Sequence, residues 1–207
     1  MRGPLPTFNL ILGLLLSAWT LGCGGRPAPG PASRREADLV RPVGHALAQA
    51  LQHGLRAELL GALEAGGPAG AVRVCSVRAQ QLAQELGAAA SPPAELRRVS
   101  RRARNPLDAP DEWDLQALEL FEGAERDSGH LPEDWVLRLE RAGELRYRYY
   151  TPIVTGAPCL ACHGETLSDT VRAVLATLYP QDPATGYREG ELRGLVRVEL
   201  DAAAFSN

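Results

Sequence analysis

The chain predicts an α+β fold, with long N-terminal helices packed on a small antiparallel sheet. Three observations predict it. Apolar residues recur at steps of three and four through the first half of the sequence. After Gly129-His130-Leu131-Pro132 the pattern changes to period two. Helical and strand patterns come in blocks, not in strict alternation, which favours an antiparallel over a parallel sheet. With 207 residues and 45% hydrophobic content, there is material for one ordinary domain with a real core.

The first 22 residues read as a signal peptide. Arg2 gives a positive start, and the apolar run from Phe8 to Leu16 is too short to span a bilayer. Leu16 to Cys23 resembles a bacterial lipobox with Gly22 directly before the cysteine, so Cys23 is expected to carry lipid, although Thr20 stands where leucine is usual. Residues 23–34, rich in glycine and proline, read as a flexible tether, which leaves 35–207 as the folded domain.

Within that domain, Leu39, Val43, Leu47, Leu51, Leu55 and Leu59 define a first amphipathic helix, from Arg35 to about Ala65. Gly66-Gly67-Pro68 ends it. A second helix runs from Ala69 to Ala88 with Val72, Cys75, Ala79, Leu82 and Leu86 on its inner face. Arg97 to Asn105 is strongly basic and reads as a charged segment or a strand with Val99 inward. Asp111 is placed to cap a third helix, Glu112 to Arg126. Trp135–Glu140 and Glu144–Tyr150 alternate as a hairpin joined through Arg141-Ala142-Gly143. A further helix, Thr170 to Leu178, and a last strand, Leu192 to Leu200, complete the pattern.

Charge and composition narrow the chemistry. A net charge of −3 is too small to suggest nucleic acid as a partner. All 22 positive charges are arginine, so no lysine amine is available to ligate a metal or form a Schiff base. Met1 is the only methionine and is expected to be lost on processing, which excludes a His/Met haem in the mature protein. The four cysteines do not form a disulfide framework; Cys23, Cys75 and the pair Cys159/Cys162 each need a separate explanation.

Cys159-Leu160-Ala161-Cys162-His163-Gly164 is the stretch with the most specific chemistry. Two thiols at i and i+3 match the two vinyl groups on one porphyrin edge, and the next histidine then lies where it can bind the iron. The spacing therefore predicts one covalently bound haem c, with His163 as proximal ligand. A zinc knuckle is the competing reading, but it would need further ligands, and no second paired Cys/His cluster exists. The opposite iron position has several candidates: Cys75 on the inner helix face, or His45 and His53 on the first helix. Arginines between Arg97 and Arg104 are suited to pair with haem propionates, because guanidinium matches carboxylate bidentately.

Beyond these single motifs, the chain resembles a family of exported haem-c domains with a PAS-like fold, found in cyanobacteria and proteobacteria. The matching segments run from Ala71 to about Val198. They include Ala71-Val72-x-Val74-Cys75, Arg104-Asn105-Pro106, Pro110-Asp111-Glu112-Trp113, Tyr149-Tyr150-Thr151-Pro152-Ile153, the Cys159 to Gly164 motif, Tyr179-Pro180, Ala184-Thr185-Gly186-Tyr187 and Gly190-Glu191-Leu192-Arg193-Gly194. The resemblance implies a single haem c with His/Cys axial ligation, which maps onto His163 and Cys75. Arg104, Tyr150 and Arg193 are then expected as haem-pocket contacts. Two positions depart from the family pattern: Asp108 where asparagine is expected and Pro183 where lysine is common.

The expected function is redox or small-ligand sensing, or electron transfer, on the periplasmic side of a membrane through a lipid anchor. A redox or signalling protein would be the partner, and a homodimer through the long helix is a further expectation. Thiolate ligation stabilises ferric iron and argues against a high-potential shuttle. The alternatives are a haem enzyme of peroxidase or reductase type, with His45, His53 or His130 as acid-base groups, and a zinc-binding structural module.

Overall fold

The computed structural model describes residues 29–206, together with Gly3. The expected signal peptide, Cys23 and the first part of the tether lie outside those residues, apart from Gly3. The last part of the expected tether is structured. β1 (Gly30–Pro31) pairs with the edge of the sheet, and the Ala32 amide donates to the Val136 carbonyl at 3.0 Å. Ser33 then opens the first helix with a reciprocal capping box: its hydroxyl accepts from the Glu36 amide, and the Glu36 carboxylate accepts from the Ser33 amide.

α1 (Arg34–Ala89) is the long helical element that the apolar spacing predicts, and it breaks where the glycines stand. Gly67 has φ 61° and ψ −172°, a conformation that glycine adopts without the steric cost of a Cβ. The two arms fold back on each other. Arg78 of the second arm pairs with Glu58 of the first at 3.1 Å, and Gly54 lies directly against Leu82.

The sheet is built from β2 (Ala94–Val99), β3 (Trp135–Arg141), β4 (Glu144–Val154) and β5 (Leu192–Asp201), with β1 at one edge. Its order is β1-β3-β4-β5-β2, and all pairings are antiparallel. The fold is therefore α+β, as expected. The β3–β4 connection is a two-residue turn, with Ala142 at φ 52° and Gly143 at φ 83°, the mirror-image turn whose twist suits a hairpin.

The sheet is covered on both faces. The α1 hairpin packs on one, burying Val40, Leu51, Tyr149, Val196, Val198 and Leu200. α2 (Glu112–Ser128), capped by Asp111, packs on the other, burying Leu118, Phe121, Leu137, Leu139, Tyr150 and Leu195. Beside the second arm of α1 a smaller apolar cluster holds α3 (Ala157–His163) and α4 (Asp169–Leu178) through Val72, Cys162, Val171, Val174 and Leu175. The Cys-x-x-Cys-His segment is thus part of a short helix. No helix of the described residues is long and apolar enough to cross a membrane.

Candidate functional site

A cavity of about 460 Å³ opens where the α1 hairpin, the ends of β2, β4 and β5, and α3 meet. Its volume lies within the range of small-molecule and cofactor sites. Cys159, Cys162, His163, Cys75 and Arg193 all line it, although they come from three distant parts of the sequence. The spacing i, i+3 on α3 puts Cys159 and Cys162 on one face of the helix, one turn apart. Cys162 is buried, and its thiol lies 3.7 Å from the Pro68 carbonyl at the bend of α1.

His163 is held by its surroundings. Its Nδ1 lies 2.7 Å from the Ala184 carbonyl, which can only accept, so the proton is on Nδ1 and the Nε2 lone pair is free for another donor or a metal. Burial lowers the imidazole pKa well below its ordinary value, and the positive charges of Arg193 and Arg104 lower it further. The ring is therefore neutral at physiological pH, the state that ligates iron. Tyr187 meets the ring edge to face at 6.5 Å, and Arg102 lies over the outer side of that tyrosine at 4.2 Å.

Arg104 ties this side of the cavity together. It donates to the Cys162 carbonyl at 2.6 Å and to the Ala184 carbonyl at 3.2 Å, while pairing with Asp182 at 2.8 Å. Two backbone bonds complete the strap: Tyr187 N to His163 O and Gly186 N to Gly164 O, both 2.9 Å. The loop carrying Asp182, Ala184 and Tyr187 thus fixes the orientation of His163, in the manner of the outer groups that orient metal-bound histidines. Sequence reading missed Asp182 and Ala184. A main-chain carbonyl leaves no trace in residue type, and Asp182 has no neighbour in sequence that marks it.

Cys75 lies on the opposite arm, half-buried in the cavity wall and not within the apolar core. Burial raises its thiol pKa, with Arg98 acting in the other direction. His53 also lines the cavity from the first arm, but it is exposed. His45 and His130 are elsewhere: His45 bonds the Tyr149 hydroxyl at 3.3 Å, and His130 is exposed after α2.

One expected contact is displaced. Tyr150 does not line the cavity. It is fully buried on the α2 face, donating to Asp114 at 2.8 Å and stacking on Trp135 at 5.9 Å. The reason is strand alternation: Tyr149 points to the α1 face, so its neighbour must point away.

The cavity walls therefore suit a flat, partly apolar group attached through two thiols, with a neutral imidazole beneath it. A tetrahedral zinc site fits less well, because no group of three or more His, Cys, Asp or Glu among the described residues could hold a metal ion.

Comparison with known proteins follows the same line. The family model named Tll0287-like matches residues 31–200, which spans both arms of α1, all but the two end residues of the sheet, and the cavity. The chain belongs to the Tll0287-like family. Among solved structures it is similar to the cyanobacterial heme-protein Tll0287. Identity is 28% and the TM-score 0.54, over 82% of this chain and 97% of that one. No curated protein matches the chain.

Proposed function

We propose that this chain is an exported c-type haem protein that acts in redox or small-ligand sensing or in electron transfer. In this reading Cys159 and Cys162 hold one haem covalently, His163 Nε2 is the proximal ligand and Cys75 the distal one. The observation that carries it is the meeting of those four residues around a single cavity, in a chain of the same family as a heme-protein. Bound there, haem would supply an iron that changes oxidation state and takes a diatomic ligand if one axial position opens.

The protein's own contribution is binding and orientation. Ala184 accepts the Nδ1 proton of His163 and directs Nε2 into the cavity. Arg104 anchors the carbonyl of Cys162 and so the position of the second thiol. Cys75 comes from the second arm of α1, beyond the Gly67 bend, and its half-exposed position makes it the more easily displaced of the two ligands. A displaceable thiolate suits sensing, and a retained one suits electron transfer.

In this reading residues 1–22 export the chain and Cys23 anchors it by lipid on the periplasmic side, where a redox or signalling protein would meet it. Optical and EPR spectroscopy of the full chain, oxidised and reduced, with and without CO, tests the assignment. The expected result is haem that survives acid-acetone extraction, with low-spin ferric iron. Colourless protein would sink the haem reading. Cys75→Ser should leave haem attached but change the spin state and raise the potential. An unchanged spectrum in that variant would exclude Cys75 as a ligand. A CO-induced change in the reduced spectrum favours sensing, and its absence favours electron transfer.

A further inference from the structure

Five arginines line the cavity: Arg56 is exposed to solvent, and three of the others are already paired. Arg98 meets Asp108 at 2.9 Å, Arg78 meets Glu58 at 3.1 Å, and Arg104 meets Asp182 at 2.8 Å. Arg193 is different. Among the described residues no carboxylate lies within ion-pair distance of it; its Nη2 instead lies 2.8 Å from His163 Nε2 and 3.2 Å from Nδ1. It is part-buried, with the Tyr187 ring 5.5 Å from its guanidinium and with Arg98 and Arg104 also lining the cavity. A guanidinium kept largely from water without an anion is costly, and such a group is retained where something else supplies the charge.

The backbone also shows that this side chain is deliberately aimed. Along β5, Leu195, Arg197 and Glu199 face α2, while Val196, Val198 and Leu200 face α1. Strict alternation would turn Arg193 toward α2, with Leu195. The pairing with β4 breaks just there: Ile153 pairs with Gly194 and Val154 with Leu192, so Arg193 is the extra residue of a β-bulge. Bulges re-aim side chains beside functional sites. Gly194 permits this one, because a Cβ at that position would overlap the Val99 carbonyl of the adjoining strand.

We propose that Arg193 is a carboxylate-binding residue at the sheet end of the cavity, aimed there by the β4–β5 bulge, with a haem propionate or a free small oxyanion as its partner. The proposal rests on the haem reading above for its first source and on geometry alone for its second. Iron coordination at Nε2 requires the guanidinium to rotate off the imidazole, and a carboxylate in the same cavity gives it a charged partner to rotate to. Arg104 cannot take this role without giving up Asp182.

The test uses the full chain carrying Cys159→Ala and Cys162→Ala, titrated with haemin or with haemin dimethyl ester, which lacks the carboxylate charges. Arg193→Gln should weaken haemin binding roughly ten- to hundred-fold, the loss of one charge-assisted pair. It should leave the ester unchanged. Equal effects on the two ligands, or none on either, would overturn the propionate source. A free-anion arm, acetate and phosphate titrated against the same chain by NMR, supports the oxyanion source if binding is seen and lost in Arg193→Gln. If no binding is seen, that source is overturned. Should the thiol-free chain not bind haemin, the crystal structure of the wild-type protein loaded with haem decides. A guanidinium on a carboxylate supports the proposal, and one left on His163 or turned to solvent overturns it. Absence of haem from the wild type would instead remove the functional reading and leave the free-anion arm to stand alone.

Discussion

On the face of the sheet that carries α2, Arg148 and Arg197 are ringed by carboxylates; on the face that carries α1, Arg193 looks into a cavity whose carboxylates, Glu58 and Asp108, are held by other arginines. Arg148 pairs with Glu199 at 2.7 Å, Asp111 at 2.8 Å and Asp114 at 3.2 Å, and Arg197 pairs with Asp114 at 3.2 Å and with Glu95. Asp114 and Glu199 are themselves buried, so each charge there is matched within the protein. The charges of this network balance without a ligand, with Arg197 Nε left without a hydrogen-bond partner, and its work is to hold α2 on the sheet. The α1 face instead joins helix to sheet largely by close apolar contact, and Arg193, which no carboxylate of the described residues matches, stands in the cavity wall. Buried charge therefore means opposite things on the two faces: internal bonding on one, provision for an outside group on the other.

The largest test of this contrast is Asp114→Ala. That carboxylate accepts from Arg148, Arg197 and the Tyr150 hydroxyl, so its removal takes a buried partner from two guanidinium groups and a hydroxyl at once. Breaking a buried pair in this way costs about 3–5 kcal/mol, read as a lower urea midpoint with an unchanged slope. Arg193→Gln should cost less than a third of that, because it leaves no charge unmatched. Similar losses in the two variants would erase the distinction between the faces.

The α1 face is tested by Gly44→Ala. Gly44 is buried against Tyr149, and an added Cβ would overlap the tyrosine ring. Helix and strand must separate, at a cost of about 1–3 kcal/mol, the usual penalty for overpacking. The same change on the exposed surface of α1, at Gly61, meets nothing and should be neutral or mildly stabilising by helix propensity. Equal stabilities for the two variants would mean that α1 does not lie this close to β4.

Much of the fold was legible because it is written in periodicity. The steps of three and four gave both arms of α1, Gly66-Gly67-Pro68 gave the bend, and the change to period two gave the β3–β4 hairpin. Cys159, Cys162 and His163 stood out as candidates because their spacing is what covalent haem attachment would require, and not a matter of burial. The charged network was not, since Arg148 and Arg197 alternate with apolar residues as solvent-facing positions do. Nothing in a strand pattern says that a helix covers its other face. Tyr150 failed as a pocket residue for a related reason: two adjacent tyrosines on a strand cannot share a side. Arg193 was expected near the haem by resemblance, but its direction depends on a one-residue bulge, and a single inserted residue leaves no signature in a period-two pattern.

The smallest effect expected is in the acid limb of stability, and it again separates the faces. Burial raises the Glu199 carboxyl pKa, but Arg148, Arg141 and Arg197 outweigh it and hold the group below its ordinary value of 4.5. Asp111 is likewise pulled below 3.8 against its burial, by hydrogen bonds from Arg148 and the Asp114 amide and by Arg197. Both folded pKa values are depressed, so the unfolded chain binds protons first as pH falls. Their contribution is complete above about pH 4.5 and is lost as pH falls through the folded values. Asp111 is part-exposed, so solvent screening leaves most of this limb to Glu199. Urea midpoints measured from pH 5 to pH 3 should fall in the wild type and fall less steeply in Glu199→Gln, which no longer has a proton to take up. Arg193→Gln should keep the wild-type slope, because no carboxylate of the described residues pairs with Arg193. A shallower slope in Arg193→Gln would mean that its guanidinium already holds a carboxylate of the chain, and the two faces would then be alike.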